Sequence, residues 1–125
     1  MQKIVIIGAS SGIGRELARR YAAAGHQVGA TGRRQDLLDS LALEYPDRII
    51  TACYDAAGLE AITQLAALTQ RLGGLDLLIY CAGWGDLSES LDWAIDKATV
   101  DVNVNGFLPA IHFGWDHFLR QGHGH

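Results

Sequence analysis

Apolar residues in the first eighty positions follow two periods in turn, one suited to strands and one to helices. Ile4-Val5-Ile6-Ile7 is an unbroken β-branched run ending at Gly8, the pattern of a central strand covered on both faces. From Ile13 the spacing becomes helical, with Ile13, Leu17, Ala18, Tyr21 and Ala22 on one face and Gly25 placed to cap the C-terminus. The unit then repeats: a strand is predicted over 27–31, a helix over 35–44 and a strand over 48–54, with Pro46 dividing the last two. A third helix is predicted over 59–72, with Ile62, Leu65, Ala66 and Leu68 on its apolar face. It ends at Gly73-Gly74 and leads into a strand over 75–80. Strands and helices alternating in this way imply an α/β fold with a parallel sheet, right-handed crossovers and helices on both faces.

After Gly83-Trp84-Gly85 the chain is polar through Glu89 and helical again from about residue 91. Val100, Val102, Val104, Phe107, Leu108, Ile111, Trp115, Phe118 and Leu119 supply its apolar faces. Pro109 removes a helix hydrogen bond and crowds the carbonyl four residues earlier, so a kink or a new helix start is predicted near it. Residues 120–125 read as a turn leading towards a further strand.

Candidate chemistry begins between the first strand and the first helix, in Gly8-Ala9-Ser10-Ser11-Gly12-Ile13-Gly14. Amide N–H groups and the dipole at a helix start favour a pyrophosphate, and glycines let the backbone approach it. The alternative is that these glycines serve only tight packing. Their spacing, G-x-x-x-G-x-G, resembles that of the short-chain dehydrogenase/reductase family, classical type, in its N-terminal cofactor-binding half. Three later segments match the family in order. Asp55, with Ala56 beside it, follows the third strand, where the family places an acid near the adenine ring. Tyr80-Cys81-Ala82-Gly83 is similar to the family's Asn-Asn-Ala-Gly and Asp76 opens that strand, although Cys81 departs by putting a thiol in place of an amide. Asp101-Val102-Asn103-Val104-Asn105-Gly106 is similar to its Asn-x-x-Gly. The resemblance spans the chain and implies a Rossmann-type doubly wound sheet. The family's full order is 3-2-1-4-5-6-7, of which residues 1–125 supply 3-2-1-4 as one NADP(H)-binding domain.

The choice of nicotinamide cofactor rests on charge at the end of the second strand, where an acid binds the ribose hydroxyl of NAD and arginine accommodates the 2′-phosphate of NADP. The strand ends Ala30-Thr31-Gly32-Arg33-Arg34, and the first carboxylate, Asp36, is better placed to cap the next helix. Arg33 and Arg34, with Ser10 opposite, predict NADP(H) in preference to NAD(H). Two solvated arginines at a helix start are the alternative.

Hydride transfer to a carbonyl leaves an oxyanion that needs a proton. The resemblance implies a Tyr, a Lys, an orienting Ser and an Asn that holds a water, and only Asn103 can be matched; the competing reading is an Asn that satisfies backbone groups at a helix irregularity. No Ser, Tyr or Lys follows Asn103, and Tyr21, Tyr45, Tyr54 and Tyr80 all lack a Lys four residues later. The expectation is therefore an oxidoreductase of carbonyl or alcohol substrates whose cofactor-binding part is this chain, inactive alone and either a fragment or the ordered part of a polypeptide about twice as long. A non-catalytic nucleotide-binding or interaction module and a truncated domain without ligand are the competing expectations.

Composition adds exclusions. The 125 residues, 49% of them hydrophobic, suit one globular domain, and a net charge of −4 gives no basic surface for nucleic acid. The N-terminal apolar run is too short for a membrane span, so a cytoplasmic protein is expected. Cys53 and Cys81 fall on strands with two others between, roughly 14 Å apart by strand spacing, and are expected to be buried free thiols. His112 and His117 are five apart and splayed round a helix, while His123 and His125 suit a solvated turn, so no metal site is expected. By resemblance, a homo-oligomer would use the helix bearing Asn103 and the one after it; the alternative is that Phe107 to Leu119 are covered by the other half of a longer polypeptide.

Overall fold

In the computed structural model, which describes residues 1–125, the predicted strands and helices are all present. In chain order they are β1 (Lys3–Ile7), α1 (Gly12–Ala23), β2 (Gln27–Gly32), α2 (Gln35–Glu44), β3 (Ile49–Cys53), α3 (Ala61–Leu72), β4 (Leu77–Tyr80), α4 (Trp93–Val100) and α5 (Phe107–Gln121). A five-residue π-helical segment, Asp101–Asn105, joins α4 to α5. The strands form one parallel sheet in the order β3-β2-β1-β4, with Ile4 opposite Val28 on one side and Leu77 on the other. This is the Rossmann arrangement predicted above.

Side-chain alternation along β1 divides the core into two layers. Ile4 and Ile6 pack with Ala18 and Ala22 of α1 and with Leu38 and Leu41 of α2. Val5 and Ile7 face Leu65, Leu68 and Leu72 of α3 and Ala110 of α5. Each fully covered aliphatic side chain in these layers contributes about 1.5–3 kcal/mol relative to exposure.

Helix ends follow the glycines. Gly25 (φ 90°) lies just beyond the last turn of α1, and Gly73 (φ 81°) caps α3 in the left-handed conformation that side chains resist. Two apolar faces need correction. Ile13 is 77% exposed, because the buried face of α1 is the one that carries Gly14, Ala18 and Ala22. In α3 the buried stripe is Leu65, Leu68, Thr69 and Leu72, which leaves Ile62 and Ala66 exposed.

The predicted disturbance near Pro109 takes the form of the π turn followed by a new helix. Gly106 N donates to Asp101 O across five residues at 2.8 Å. Pro109 is then the third residue of α5, a position where no N–H is needed inside the helix. At the other end Gly122 (φ 83°) closes α5, and the chain does more than turn. His125 N donates to Asp76 O at 3.0 Å and its carbonyl accepts from Leu78 N at 2.9 Å, a strand-like pairing on the outer edge of β4. The cysteines are free as expected but not buried as a pair: Cys53 is exposed at the end of β3 and Cys81 is half-buried.

Candidate functional site

The carboxyl ends of the four strands meet at a polar cleft of about 140 Å³. It lies where the strand order reverses between β1 and β4, the position at which open α/β sheets bind ligands. Gly8 (φ 87°) turns the chain out of β1, and any β-carbon on it would fall on the backbone of Cys81 and Ala82. A β-carbon on Gly14 would strike Gly8 O, so that glycine seats α1 on the turn. Gly12 (φ 60°) differs: nothing lies within 4 Å of where its side chain would be. Gly8 and Gly14 are thus required by packing, while Gly12 leaves the start of α1 open.

The amides of Gly8 and Ala9 donate to Thr31 O at 3.1 and 2.7 Å, fixing the turn against β2. Ser11 occupies the N-cap of α1, yet its hydroxyl makes no capping bond. It accepts instead from Arg34 Nη2 at 2.9 Å, and the same nitrogen donates to Ser10 Oγ at 3.2 Å. Helix starts carry unsatisfied N–H groups and positive potential, so the first turn of α1 and a guanidinium converge on one spot. Helix α2, which begins just after Arg34, is tied to α1 by Arg15 Nη1 donating to Leu37 O at 2.7 Å and by the Arg19–Glu44 ion pair at 2.6 Å. Asp36 lies in the first turn of α2 and does not cap it; the N-cap position is Arg34's. No carboxylate stands between β2 and that turn.

Of the residues singled out in the sequence, Gly8, Ser10, Ser11, Arg33, Arg34, Asp55, Ala56, Cys81, Ala82 and Gly83 line the cleft. Gly12, Ile13 and Gly14 sit beside it in the first turn of α1. Asp55 Oδ1 accepts from Ala57 N at 2.9 Å, holding the loop after β3. The Cys81 amide donates to Ile7 O at 2.7 Å, and burial pushes its thiol above the ordinary range. Four lining residues escaped the sequence reading: Thr31, Gly32, Tyr54 and Val102. Gly32 carried a signal, since a β-carbon there would press on Ser10. The Tyr54 hydroxyl is enclosed near Thr31, and burial pushes that phenol up.

Asn103 stands on the π segment and does not line the cleft. Its Nδ2 donates to Trp84 O at 2.8 Å and its Oδ1 accepts from Trp84 N at 3.1 Å. The side chain thus holds the backbone of the loop just after Gly83 from the π segment.

A profile of the short chain dehydrogenase family matches residues 2–125. An uncharacterized oxidoreductase of Mycobacterium tuberculosis is 38% identical over 99% of this chain and 52% of its own length. The NADP-dependent 3-hydroxy acid dehydrogenase YdfG of Shigella flexneri is 30% identical over 98% of this chain and 51% of its own. Among solved structures, the closed form of serine dehydrogenase complexed with NADP+ superposes with a TM-score of 0.90 at 28% identity, over 98% of this chain and 51% of that one. The chain spans about half the length of most of the curated relatives it matches, and a tenth of a glycine betaine reductase of Emericella nidulans.

Proposed function

The chain belongs to the short chain dehydrogenase family, and on that premise we propose that it is the NADP(H)-binding part of an oxidoreductase acting on small carbonyl or alcohol substrates. One observation carries the cofactor choice: Arg34 is hydrogen-bonded to both hydroxyls of the glycine turn. A 2′-phosphate placed there meets a guanidinium, two hydroxyls and no opposing carboxylate, whereas the hydroxyl of NAD would find no acceptor of the usual kind. The site fits a dinucleotide because Gly12 leaves the start of α1 unobstructed. A relative described as NADP-dependent and a structural relative solved with NADP+ support the same reading.

When bound, the nicotinamide supplies the hydride. The residues of this chain bind and orient. The first-turn amides of α1 receive the pyrophosphate, Arg33 and Arg34 receive the 2′-phosphate, Asp55 and Ala56 border the adenine end, and Cys81, Ala82 and Gly83 approach the second ribose. Asn103 belongs to the reaction end through its hold on Trp84. Residues 1–125 contain no Tyr with a Lys four positions later, so they are assigned binding without turnover. No helix is long and apolar enough to cross a membrane, and a cytoplasmic setting is part of the proposal. So is self-association through α5, where Leu108, Ile111, Trp115 and Leu119 form an exposed stripe.

Fluorescence titration of the folded chain with NADPH and NADH tests the reading. NADPH binding about tenfold or more tighter is expected, with the difference lost in Arg34→Ala. Equal affinities, or an Arg34→Ala variant that still prefers NADPH, would sink the cofactor assignment.

A further inference from the structure

The loop that follows β4 is braced in an unusual way. Tyr80, the last residue of β4, sends its hydroxyl across to α5's approach and donates to Val102 O at 2.7 Å, within the π segment. The ring is held edge-on to Phe107, with centroids 5.4 Å apart and planes at 83°. Gly106 keeps the space clear: a β-carbon there would stand 2.8 Å from the Tyr80 hydroxyl and 2.8 Å from Ala56 O. One residue beyond Val102, Asn103 holds the backbone of Trp84 through two hydrogen bonds. Strand, phenol, π turn, Asn103 and loop therefore form a closed circuit, from Tyr80 through Val102 and Asn103 to Trp84 and back along the chain through Gly83. Burial, with the Asp55 carboxylate nearby adding to it, holds the phenol above its ordinary pKa.

We propose that Tyr80 is a positioning residue for Asn103: its hydrogen bond to Val102 O sets the rotation of the π segment and so the placement of the Asn103 amide on Trp84. The inference rests on the reading of Asn103 as part of the reaction end of a dehydrogenase site, and deepens it. A ring at position 80 fills the same space with or without its hydroxyl, whereas only the hydroxyl reaches Val102. Tyr80→Phe therefore separates filling from positioning.

The experiment is amide hydrogen exchange by NMR on the folded chain and on Tyr80→Phe, with NADPH affinity measured on both samples. In the variant the Trp84 amide should exchange roughly tenfold faster, as for loss of one supporting hydrogen bond. The Cys81 amide, which donates to Ile7 O inside the sheet, should stay within about twofold. A general loosening would speed both amides, and equal acceleration overturns the proposal, as does an unchanged Trp84. Should the variant fail to fold, the hydroxyl can be read in the unaltered chain with tyrosine labelled at Cζ. Separate protonated and deuterated signals, the mark of slow hydroxyl exchange, are expected for Tyr80, and a single averaged signal overturns the proposal. Absence of NADPH binding in the unaltered chain would count against the cofactor reading and leave the exchange result standing.

Discussion

Strands β1 and β4 lie side by side and pair from Ile4 with Leu77 to Ile7 with Tyr80, and both are apolar in sequence. Ile4 to Ile7 are buried throughout, while all four residues of β4 are only partly covered. The cause is company rather than composition. β1 has a strand on each side and helices against both faces, whereas β4 has β1 on one side and His125 alone on the other. The same contrast continues into the helices: α1 buries Ala18 and Ala22, while α5 leaves Trp115 at 64% and Leu119 at 65% exposure. An apolar pattern specifies that a surface is to be covered, and the neighbouring elements determine whether it is.

The largest expected effect measures that contrast directly, because Ile6 and Ile79 are register partners of one residue type. Ile6→Ala should cost about 3–4 kcal/mol by urea denaturation and Ile79→Ala about half as much. Equal losses would show that β4 is as well packed as β1. A second pair sharpens the comparison where the two strands meet the glycine turn. Gly8→Ala, which drives a β-carbon into Ala82, should cost about 3 kcal/mol, and Gly12→Ala, also at positive φ but in open surroundings, about 1 kcal/mol. NADPH affinity should nonetheless fall in Gly12→Ala, measured on protein that remains folded.

The smallest effect is alkaline. Burial raises the phenols of Tyr54 and Tyr80 above their ordinary value of 10.0, so the folded chain keeps those protons to higher pH than the unfolded chain. Their contribution is complete below pH 10 and is lost as pH rises through the raised folded values, at a slope of at most about 1.4 kcal/mol per pH unit for each group. Tyr54, whose hydroxyl is enclosed, should account for more of that slope than the half-buried Tyr80. Denaturation midpoints of Tyr54→Phe and Tyr80→Phe between pH 9 and 11 check this order, and the reverse order would show that the end of β4 is as well enclosed as the end of β3.

What could be read beforehand was whatever the chain encodes over short distances. Period two and period 3.6 located the strands and helices, Gly25 and Gly73 located helix ends, and Gly-Arg-Arg after β2 located the charge. What escaped depends on residues brought together from afar. Nothing near Ser11 in sequence says that its hydroxyl will leave the N-cap for Arg34, and nothing near Asn103 names Trp84 as its partner. Thr31, Tyr54 and Val102 line the cleft because three separate elements converge there. Ile13 read as core because its spacing is helical, although the face of α1 that meets the sheet is the one bearing Gly14, Ala18 and Ala22. Cys53 read as buried because it ends an apolar strand, and lies exposed because β3 is the outer edge.

The π turn between α4 and α5 has a genetic consequence. It holds one residue more than an α-helical path of the same length requires, so a one-codon deletion between Asp101 and Asn105 could heal into continuous α-helix. Helix content would hardly change. The helices on either side would keep roughly their phase, because the π turn spends its extra residue on the same rotation, but the amide now facing Trp84 would point elsewhere. Reading-frame-preserving losses at this place would thus be tolerated by the backbone and still erase the alignment it provides.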